Sequence, residues 1–490
     1  MKRKPLFLYI FIPLSPFILL LLLETGFRAV EVLWKPVYRA VFDDSNKLHL
    51  YVLGESTAEG VQYRNKISPA VLLSAQFNDS LDGKPLEIIS LAYSGETIEY
   101  NYFKFRFETI FFPHRNGLVF IYSGINECIN NMDVQGFGRW KIIQHSIVLS
   151  KLLYMLNYFQ NSPAKYEYRY RQVIEIAKKH GYKTIISQLV GNVADFDPDV
   201  SETDELFQPG FNKDFEILLA KFSARNYEQA ENDCREMMRK LGHEHPYLLY
   251  VTGRCKYEEK QYDSARYYLN KSPEISVYNG YAAWKNNILS KVATEENVAL
   301  AHTYDRFIDS SEYGLLGYNL INDAHHPNLK GYYILSRELA KAAGKLYNEP
   351  IKQTISPETV AAKFKFDSAF YADVYTALTE WFIYKTFDTK IRDARIGRLQ
   401  YYMSQYESYK PGDELPEIWK LFVAVLRNQP EDFMNHLRKI GNSPRKEELF
   451  KRFMEGCNHT PKKEAIRKTI MAWELPSKSD SLLRKELLGY

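Results

Sequence analysis

Four short segments hold side chains that together could do chemistry. Gly54-Glu55-Ser56 supplies a hydroxyl, Ser94-Gly95-Glu96-Thr97 a glycine, and Gly124-Ile125-Asn126-Glu127 a carboxamide. Asp323-Ala324-His325-His326-Pro327 supplies an imidazole with a carboxylate three residues before it. A serine hydroxyl is a poor nucleophile until a nearby base takes its proton. His326 is the natural base, and Asp323 on the same tight turn can fix its tautomer and stabilise its cation. A glycine lets a backbone N–H approach a developing oxyanion, and an asparagine amide can donate from a second direction. Ser56, Gly95, Asn126, Asp323 and His326 therefore form a parts list for acyl transfer through serine.

Taken singly, each segment has a plainer reading. Ser56 can cap a following helix, Gly95 can close a turn, and Asn126 can cap a helix start. His325 competes with His326 as the base, and the adjacent pair raises the question of a metal. No second cluster of histidines or carboxylates lies near in sequence, so no metal is expected. No cofactor is implied either. What sets the four segments apart is their order and the elements around them.

Three of them follow apolar, β-branched runs that read as strands: Leu48–Leu53, Leu86–Leu91 and Leu118–Tyr122, with a further run at Lys183–Leu189. Helical stretches lie between. Ser68-Pro69 predicts a capped helix running to about Asp82, and a longer one covers roughly Tyr166 to His180. The fourth segment precedes a helix from Leu329 to about Leu346, with Pro327 stiffening the turn and Asn328 as cap. Strands alternating with helices predict parallel βαβ units in an open α/β sheet. Reactive groups in such sheets collect at the carboxyl ends of the strands. Gly54 is expected to adopt backbone angles that turn the chain sharply and lift the Ser56 hydroxyl above the sheet.

The set resembles the SGNH, or GDSL-type, hydrolase family, whose four blocks contribute Ser, Gly, Asn and His in this chain order. Leu53-Gly54-Glu55-Ser56-Thr57-Ala58-Glu59-Gly60 is similar to the first block, with Glu55 in place of the usual Asp. Ser94–Thr97 is close to the second, Gly124–Glu127 to the third, and Asp323–Pro327 to the DxxHP block without departure. The resemblance implies a flavodoxin-like three-layer fold and a nucleophile at Ser56. It also implies oxyanion donors at the Ser56 and Gly95 N–H groups and the Asn126 side chain, and a base at His326 oriented by Asp323. More narrowly, the chain resembles membrane-anchored members with a tetratricopeptide-like insert, through Val190–Pro198 and the helical stretch that follows. Such relatives often carry His before the block-three Asn, where Ile125 stands here. The resemblance spans residues 20 to 345.

The 490 residues exceed one core, and two or three domains are expected. The organisation read from the sequence is an anchor over 1–25, a hydrolase domain over 45–210 and 301–348, a helical insert over 211–300, and a helical region over 355–490. Within the insert, Asn226-Tyr227-Glu228-Gln229-Ala230 recurs as Gln261-Tyr262-Asp263-Ser264-Ala265, and Gly253 lies between them. Small Gly and Ala positions let paired helices pack closely, as in tetratricopeptide repeats; an ordinary helical hairpin is the alternative. Beyond Glu358 the aromatics Tyr371, Tyr375, Trp381, Phe382, Tyr384, Tyr401 and Tyr402 have the spacing of core stripes. Asn458-His459-Thr460 is formally a glycosylation acceptor, discounted because Pro461 follows.

A formal charge of +4, with Lys and Arg dispersed, argues against nucleic acid as a partner. Cys128, Cys234, Cys255 and Cys457 show no metal-like spacing and read as buried free thiols. Met1-Lys2-Arg3-Lys4 precedes an apolar run from Leu6 to Leu23, interrupted by Pro13, Ser15 and Pro16. That pattern predicts an uncleaved signal anchor, with the bulk of the chain outside the cytoplasm. The sequence thus predicts a serine esterase there, and the family resemblance implies small acyl esters, such as O-acylated carbohydrate or cell-envelope polymers, as substrates. An O-acyltransferase would use the same site with water excluded. A non-catalytic protein binding protein partners through its helices is the third reading.

Overall fold

The computed structural model of the protein describes residues 6–42, 44–127, 148, 151, 163–198, 204–276, 281, 283–389, 391–459, 466, 468–470 and 473. In chain order the first elements are α1 (Leu6–Val41), β1 (Leu48–Gly54), α2 (Ser56–Glu59), α3 (Pro69–Gln76), β2 (Ser80–Leu81), β3 (Lys84–Ser90) and α4 (Ile98–Phe111). Next come β4 (Gly117–Tyr122), α5 (Pro163–His180), β5 (Lys183–Ser187), α6 (Asn212–Ser223), α7 (Tyr227–Leu241), α8 (Pro246–Glu258) and α9 (Tyr262–Ile275). Then follow α10 (Ala283–Glu295), β6 (Ala299–Ala301), α11 (Thr303–Asp309), α12 (Leu329–Tyr347), α13 (Pro357–Lys363) and α14 (Ser368–Asp388). The last are α15 (Arg392–Tyr409), α16 (Leu415–Leu426), α17 (Pro430–Gly441) and α18 (Lys446–His459). The chain divides into two compact units. One comprises Met1–Val61, Asn65–Asn192 and Asn270–Pro357; the other comprises Gln62–Arg64, Val193–Leu269 and Glu358–Tyr490.

The first unit is built on a sheet of order β2-β3-β1-β4-β5-β6. Only β2 is antiparallel, hairpinned to β3. The five parallel strands thus follow the doubly wound order, which reverses beside β1. Strands β1 and β4 are buried along their whole length. Both faces of a central parallel strand are covered by helices, so their sequences are continuous apolar runs without alternation. Register matters for function: Gly54 at the end of β1 pairs with Tyr122 at the end of β4. The segments that follow these strands therefore leave the sheet side by side.

Two expectations about local structure change. The helix beginning at Pro69 is capped by the Ser68 side chain as anticipated, but it ends at Gln76. Asn78, Asp79 and Asp82 all have left-handed backbone angles, and Gly83 does too. These are turn residues that tolerate that conformation, and they fold the segment into the β2–β3 hairpin. Strand β6 is only three residues long, too short for periodicity to reveal.

The anchor expectation is overturned. Among the described residues, no helix is long and apolar enough to cross a membrane. The apolar run ends at Leu23 and contains two prolines and a serine, and α1 continues unbroken through Glu24, Arg28, Glu31, Lys35 and Arg39. This later half packs on the sheet unit instead. Phe27 meets Phe107 edge-on, Trp34 Nε1 donates to the Phe111 carbonyl at 2.8 Å, and Arg39 donates to the carbonyls of Pro113 and His114. The membrane-anchored, extracytoplasmic location read from the sequence is withdrawn with it. The Met1–Lys4 flank lies outside the described residues.

The second unit is helical among its described residues. Helices α6, α7 and α8 share a core that includes Phe215, Leu218, Cys234, Met237 and Val251. A buried carboxylate, Asp197, accepts the Tyr247 hydroxyl at 3.1 Å and pairs with Arg395, whose guanidinium stacks 3.8 Å over Phe196. In the C-terminal helices Phe382 and Tyr402 are buried as core, whereas Tyr401 faces solvent. Cys234, Cys255 and Cys457 are free and buried; Cys128 and Thr460 lie outside the described residues.

Candidate active site

Ser56 is the first residue of α2, two residues past the last paired residues of β1. The tight exit depends on Gly54, though through space and not backbone angle, since its φ is not positive. A Cβ there would stand 2.4 Å from both the Ala58 Cβ and the Tyr122 carbonyl oxygen. Asn101, on α4, locks the same residue: its Oδ1 accepts the Gly54 N–H at 2.9 Å and its Nδ2 donates to the Gly54 carbonyl at 3.2 Å. Tyr332 fixes the other side of Ser56 by donating its hydroxyl to the Thr57 carbonyl at 2.9 Å.

The Asp323–Pro327 segment is a tight reversal. Ile321 and Pro327 form an isolated antiparallel bridge, and the Asn322 N–H donates to the His326 carbonyl at 2.8 Å. Asn328 then caps α12 through the Gly331 N–H at 3.0 Å, as its position in the sequence suggested. From the far side, Asn192 grips the reversal: its N–H donates to the Ala324 carbonyl at 2.7 Å and its Nδ2 to the Asp323 carbonyl at 2.9 Å. Its neighbour Gly191 lies against Tyr281, where a Cβ would come within 2.5 Å.

These supports bring the chemistry together. His326 Nε2 lies 2.6 Å from Ser56 Oγ, and His326 Nδ1 lies 2.7 Å from Asp323 Oδ2. A neutral ring with its proton on Nδ1 satisfies both contacts, accepting from serine and donating to aspartate. Asp323 is 1 % exposed, and its Oδ1 also accepts the His325 and His326 N–H groups at 3.0 and 2.8 Å. Burial alone would raise its pKa. The adjacent His326 and His325 rings and these hydrogen bonds outweigh burial and hold the carboxyl well below the ordinary carboxylate range. His325 packs its ring 4.1 Å from that of His326 and is not the ring on Ser56.

No family model matches the chain, and no curated protein matches it. Among solved structures it is similar to a GDSL-like lipase from Bacteroides thetaiotaomicron, at 13% identity over 64% of this chain and 96% of that one, with a TM-score of 0.30. It is also similar to a candidate acylhydrolase from Bacteroides fragilis, at 13% identity over 62% and 90% of the two chains, with a TM-score of 0.29. The chemistry is read from the site itself.

The two remaining sequence candidates lie on segments held by Glu59 and Glu55, the carboxyls on either side of Ser56 in the chain. Gly95 closes a turn with φ of 80°, and the Glu96 N–H reaches back to the Tyr93 carbonyl. Asn126 donates from Nδ2 to the Glu96 carbonyl at 3.0 Å, which ties the second and third segments to each other. Glu55 ties the third to the first. Its carboxyl accepts the Ser123 hydroxyl at 3.0 Å, the Gly124 N–H at 2.6 Å and the Asn126 N–H at 3.0 Å. Burial, reinforced by Glu127 beside it, pushes the Glu55 pKa up against these bonds.

Asn101, Asn192, Tyr332 and Lys285 carry no role in the sequence reading. Asn192 had a readable signal, a Gly-Asn pair just beyond a strand end. Asn101 offered a weaker one, an amide inside an otherwise aromatic helix face. Tyr332 and Lys285 look like ordinary helix residues until the chain is folded.

Proposed function

We propose that the protein is a serine-dependent ester hydrolase of the SGNH type. The observation that carries this reading is the continuous contact from Ser56 Oγ to His326 Nε2 and from His326 Nδ1 to Asp323. Ser56 Oγ attacks the ester carbonyl carbon while its proton passes to His326 Nε2. The carbonyl oxygen becomes an oxyanion that the Ser56 and Gly95 N–H groups and the second Asn126 amide hydrogen stabilise. Asp323 stays ionised and balances the imidazolium. His326 then gives its proton to the leaving alcohol oxygen, and the bond from that oxygen to the acyl carbon breaks. A water, deprotonated by His326 in turn, releases the acid from Ser56.

Small acyl esters, including O-acyl groups on carbohydrate, are the proposed substrates; the family resemblance suggests this class. The helices α7 to α9 are read as tetratricopeptide-like. Ala230 and Ala265 are fully buried, and a Cβ on Gly253 would come within 2.7 Å of Leu269, the close packing such repeats use. The decisive experiment compares the full chain with Ser56→Ala on p-nitrophenyl acetate and on a fluorophosphonate probe. Hydrolysis and labelling by the unaltered chain, both absent from the variant, are expected. Activity that survives the substitution removes Ser56 as nucleophile. Acylated product in the presence of sugar acceptors would identify a transferase.

A further inference from the structure

We propose that Lys285, on α10, is a positioning residue for this reaction, its buried ammonium holding both ends of the loop that carries Asn126. The inference rests on the esterase reading of Ser56. Lys285 is 1 % exposed, and its Nζ donates to the Gly124 carbonyl at 2.6 Å and the Glu127 carbonyl at 2.9 Å. The N–H groups of the same loop, at Gly124 and Asn126, donate to Glu55 on the opposite side. An ammonium thus grips the carbonyl edge of the loop while a carboxyl beside Ser56 grips its amide edge. Gly124 has φ of 137°, and a Cβ there would collide with the Tyr166 hydroxyl at 2.3 Å, so the loop has little room to settle elsewhere.

Burying an ammonium is costly unless a negative charge and hydrogen bonds accompany it. Two carboxyls, Glu55 and Glu127, lie nearby. Burial pushes both pKa values up, Glu127 raises Glu55 further, and Lys285 is the largest influence opposing the rise at Glu127. Glu55 accepts three donors, whereas Glu127 accepts the Ile98 N–H at 2.5 Å. The Lys285 charge, the Ile98 N–H and a hydrogen bond with Glu55 favour the ionised form of Glu127, whose charge in turn raises Glu55. Among the described residues, the Tyr122, Tyr166 and Tyr170 phenols, which burial keeps neutral, also face these carboxyls, as does Lys165, which pairs with Glu99 at 3.6 Å. Without the Lys285 charge Glu127 loses the largest influence that opposes its protonation. The Gly124 and Glu127 carbonyls lose their donor as well, and the Asn126 amide loses its aim at the oxyanion.

The test is steady-state hydrolysis of p-nitrophenyl acetate by the full chain between about pH 5 and 9, comparing Lys285→Met and the pair Lys285→Met with Glu127→Gln. Lys285→Met is expected to lower kcat about 10- to 100-fold with KM changed less than about 3-fold, and to move the acid limb of the profile to higher pH. The double variant removes the buried carboxyl together with its ammonium. Its kcat is expected to stay as low as that of Lys285→Met, because the loop carbonyls still lack their donor. Either variant, folded by circular dichroism and retaining unaltered kcat and profile, overturns the proposal. If Lys285→Met does not fold, the double variant decides alone. Failure of the unaltered chain to hydrolyse the ester or label with fluorophosphonate overturns the esterase reading itself, a separate outcome.

Discussion

The Glu59 carboxylate accepts both the backbone N–H and the hydroxyl of Ser94, at 2.8 and 3.0 Å. Glu59 lies three residues past Ser56 on the same short helix, and Ser94 immediately precedes Gly95. Glu55, just before Ser56, holds the loop of Asn126 in the same way. The segment bearing the proposed nucleophile therefore grips both donor segments with the two carboxyls that bracket Ser56. Donors fixed in advance of substrate stabilise a transition state without reorganising.

Glu59→Ala removes both bonds to Ser94 and frees the turn that carries Gly95. We predict a fall in kcat of about 10- to 100-fold, read by steady-state ester hydrolysis. Ser94→Ala removes only the hydroxyl bond and keeps the N–H bond, so its effect should be about 1 kcal/mol of transition-state stabilisation, or roughly 5-fold. The reverse ranking would show that Glu59 does not act through Ser94.

Two glycines of the site should fail for different reasons. Gly54→Ala forces a methyl to within 2.4 Å of the Ala58 Cβ on α2 and the Tyr122 carbonyl oxygen on β4. A destabilisation of about 1–3 kcal/mol is expected. Gly95→Ala meets no atom within 4 Å but must adopt φ of 80°, which costs about 1–2 kcal/mol. Urea denaturation measures both. Substituting Gly95 by Asn, which tolerates left-handed angles, should recover stability at that position, whereas Gly54→Asn should be worse than Gly54→Ala.

The reach of sequence reading follows the range of the contacts involved. Ser56, Gly95 and Asn126 were legible because each follows an apolar run, and His326 because its partner Asp323 lies three residues away on the same turn. The parallel sheet was legible for the same reason, as β1 and β4 are long apolar runs and β3 and β5 hold the shorter pairs Ile88–Ile89 and Ile185–Ile186. Gly54 was placed correctly but for the wrong cause, because only the fold reveals Tyr122 beside it. Asn101 acts on Gly54 across 47 residues and Lys285 on Gly124 across 161, and nothing local marks either. The misread N-terminus has another origin: apolar content alone does not tell a spanning helix from one whose later half packs on its own domain.

Asn101 supplies a prediction about stability that precedes any chemistry. Its side chain satisfies the buried N–H and carbonyl of Gly54 and also donates to the Thr97 carbonyl at 3.0 Å. Asn101→Ala leaves those backbone groups without that partner in a site closed to water. The Gly54 carbonyl keeps the Tyr93 N–H at 3.3 Å and the Thr97 carbonyl keeps the Asn101 N–H at 3.1 Å, so the Gly54 N–H is the group left stranded and a loss of about 1–3 kcal/mol in urea denaturation is expected. Asn101→Asp keeps the acceptor for the Gly54 N–H but sets a carboxylate against the two carbonyls, and should be no better. A loss below about 0.5 kcal/mol for the alanine variant would mean that Asn101 is not what locks the exit of β1.

Asp323→Asn separates what the carboxylate does for catalysis from what it does for folding. The amide can still accept the His325 and His326 N–H groups through its oxygen, so the reversal should persist. Its other end presents N–H₂ to His326 Nδ1, which then favours the tautomer with its proton on Nε2, facing Ser56. That ring cannot take the serine proton. A fall in kcat of about 10⁴-fold with KM little changed is expected, and a variant within about 10-fold of the unaltered kcat would remove Asp323 from the mechanism. The stability effect has a definite sign. Asp323 has a folded-state pKa below its ordinary value of 3.8, so its ionisation contributes stability that is fully present above that value. This contribution is lost as pH falls through the folded-state pKa. The stability gap between the unaltered chain and Asp323→Asn, measured by urea denaturation, should therefore be constant from neutral pH to about 5 and narrow steadily in more acid solution. A gap that widens on acidification would mean that the two histidines do not hold Asp323 in its ionised form.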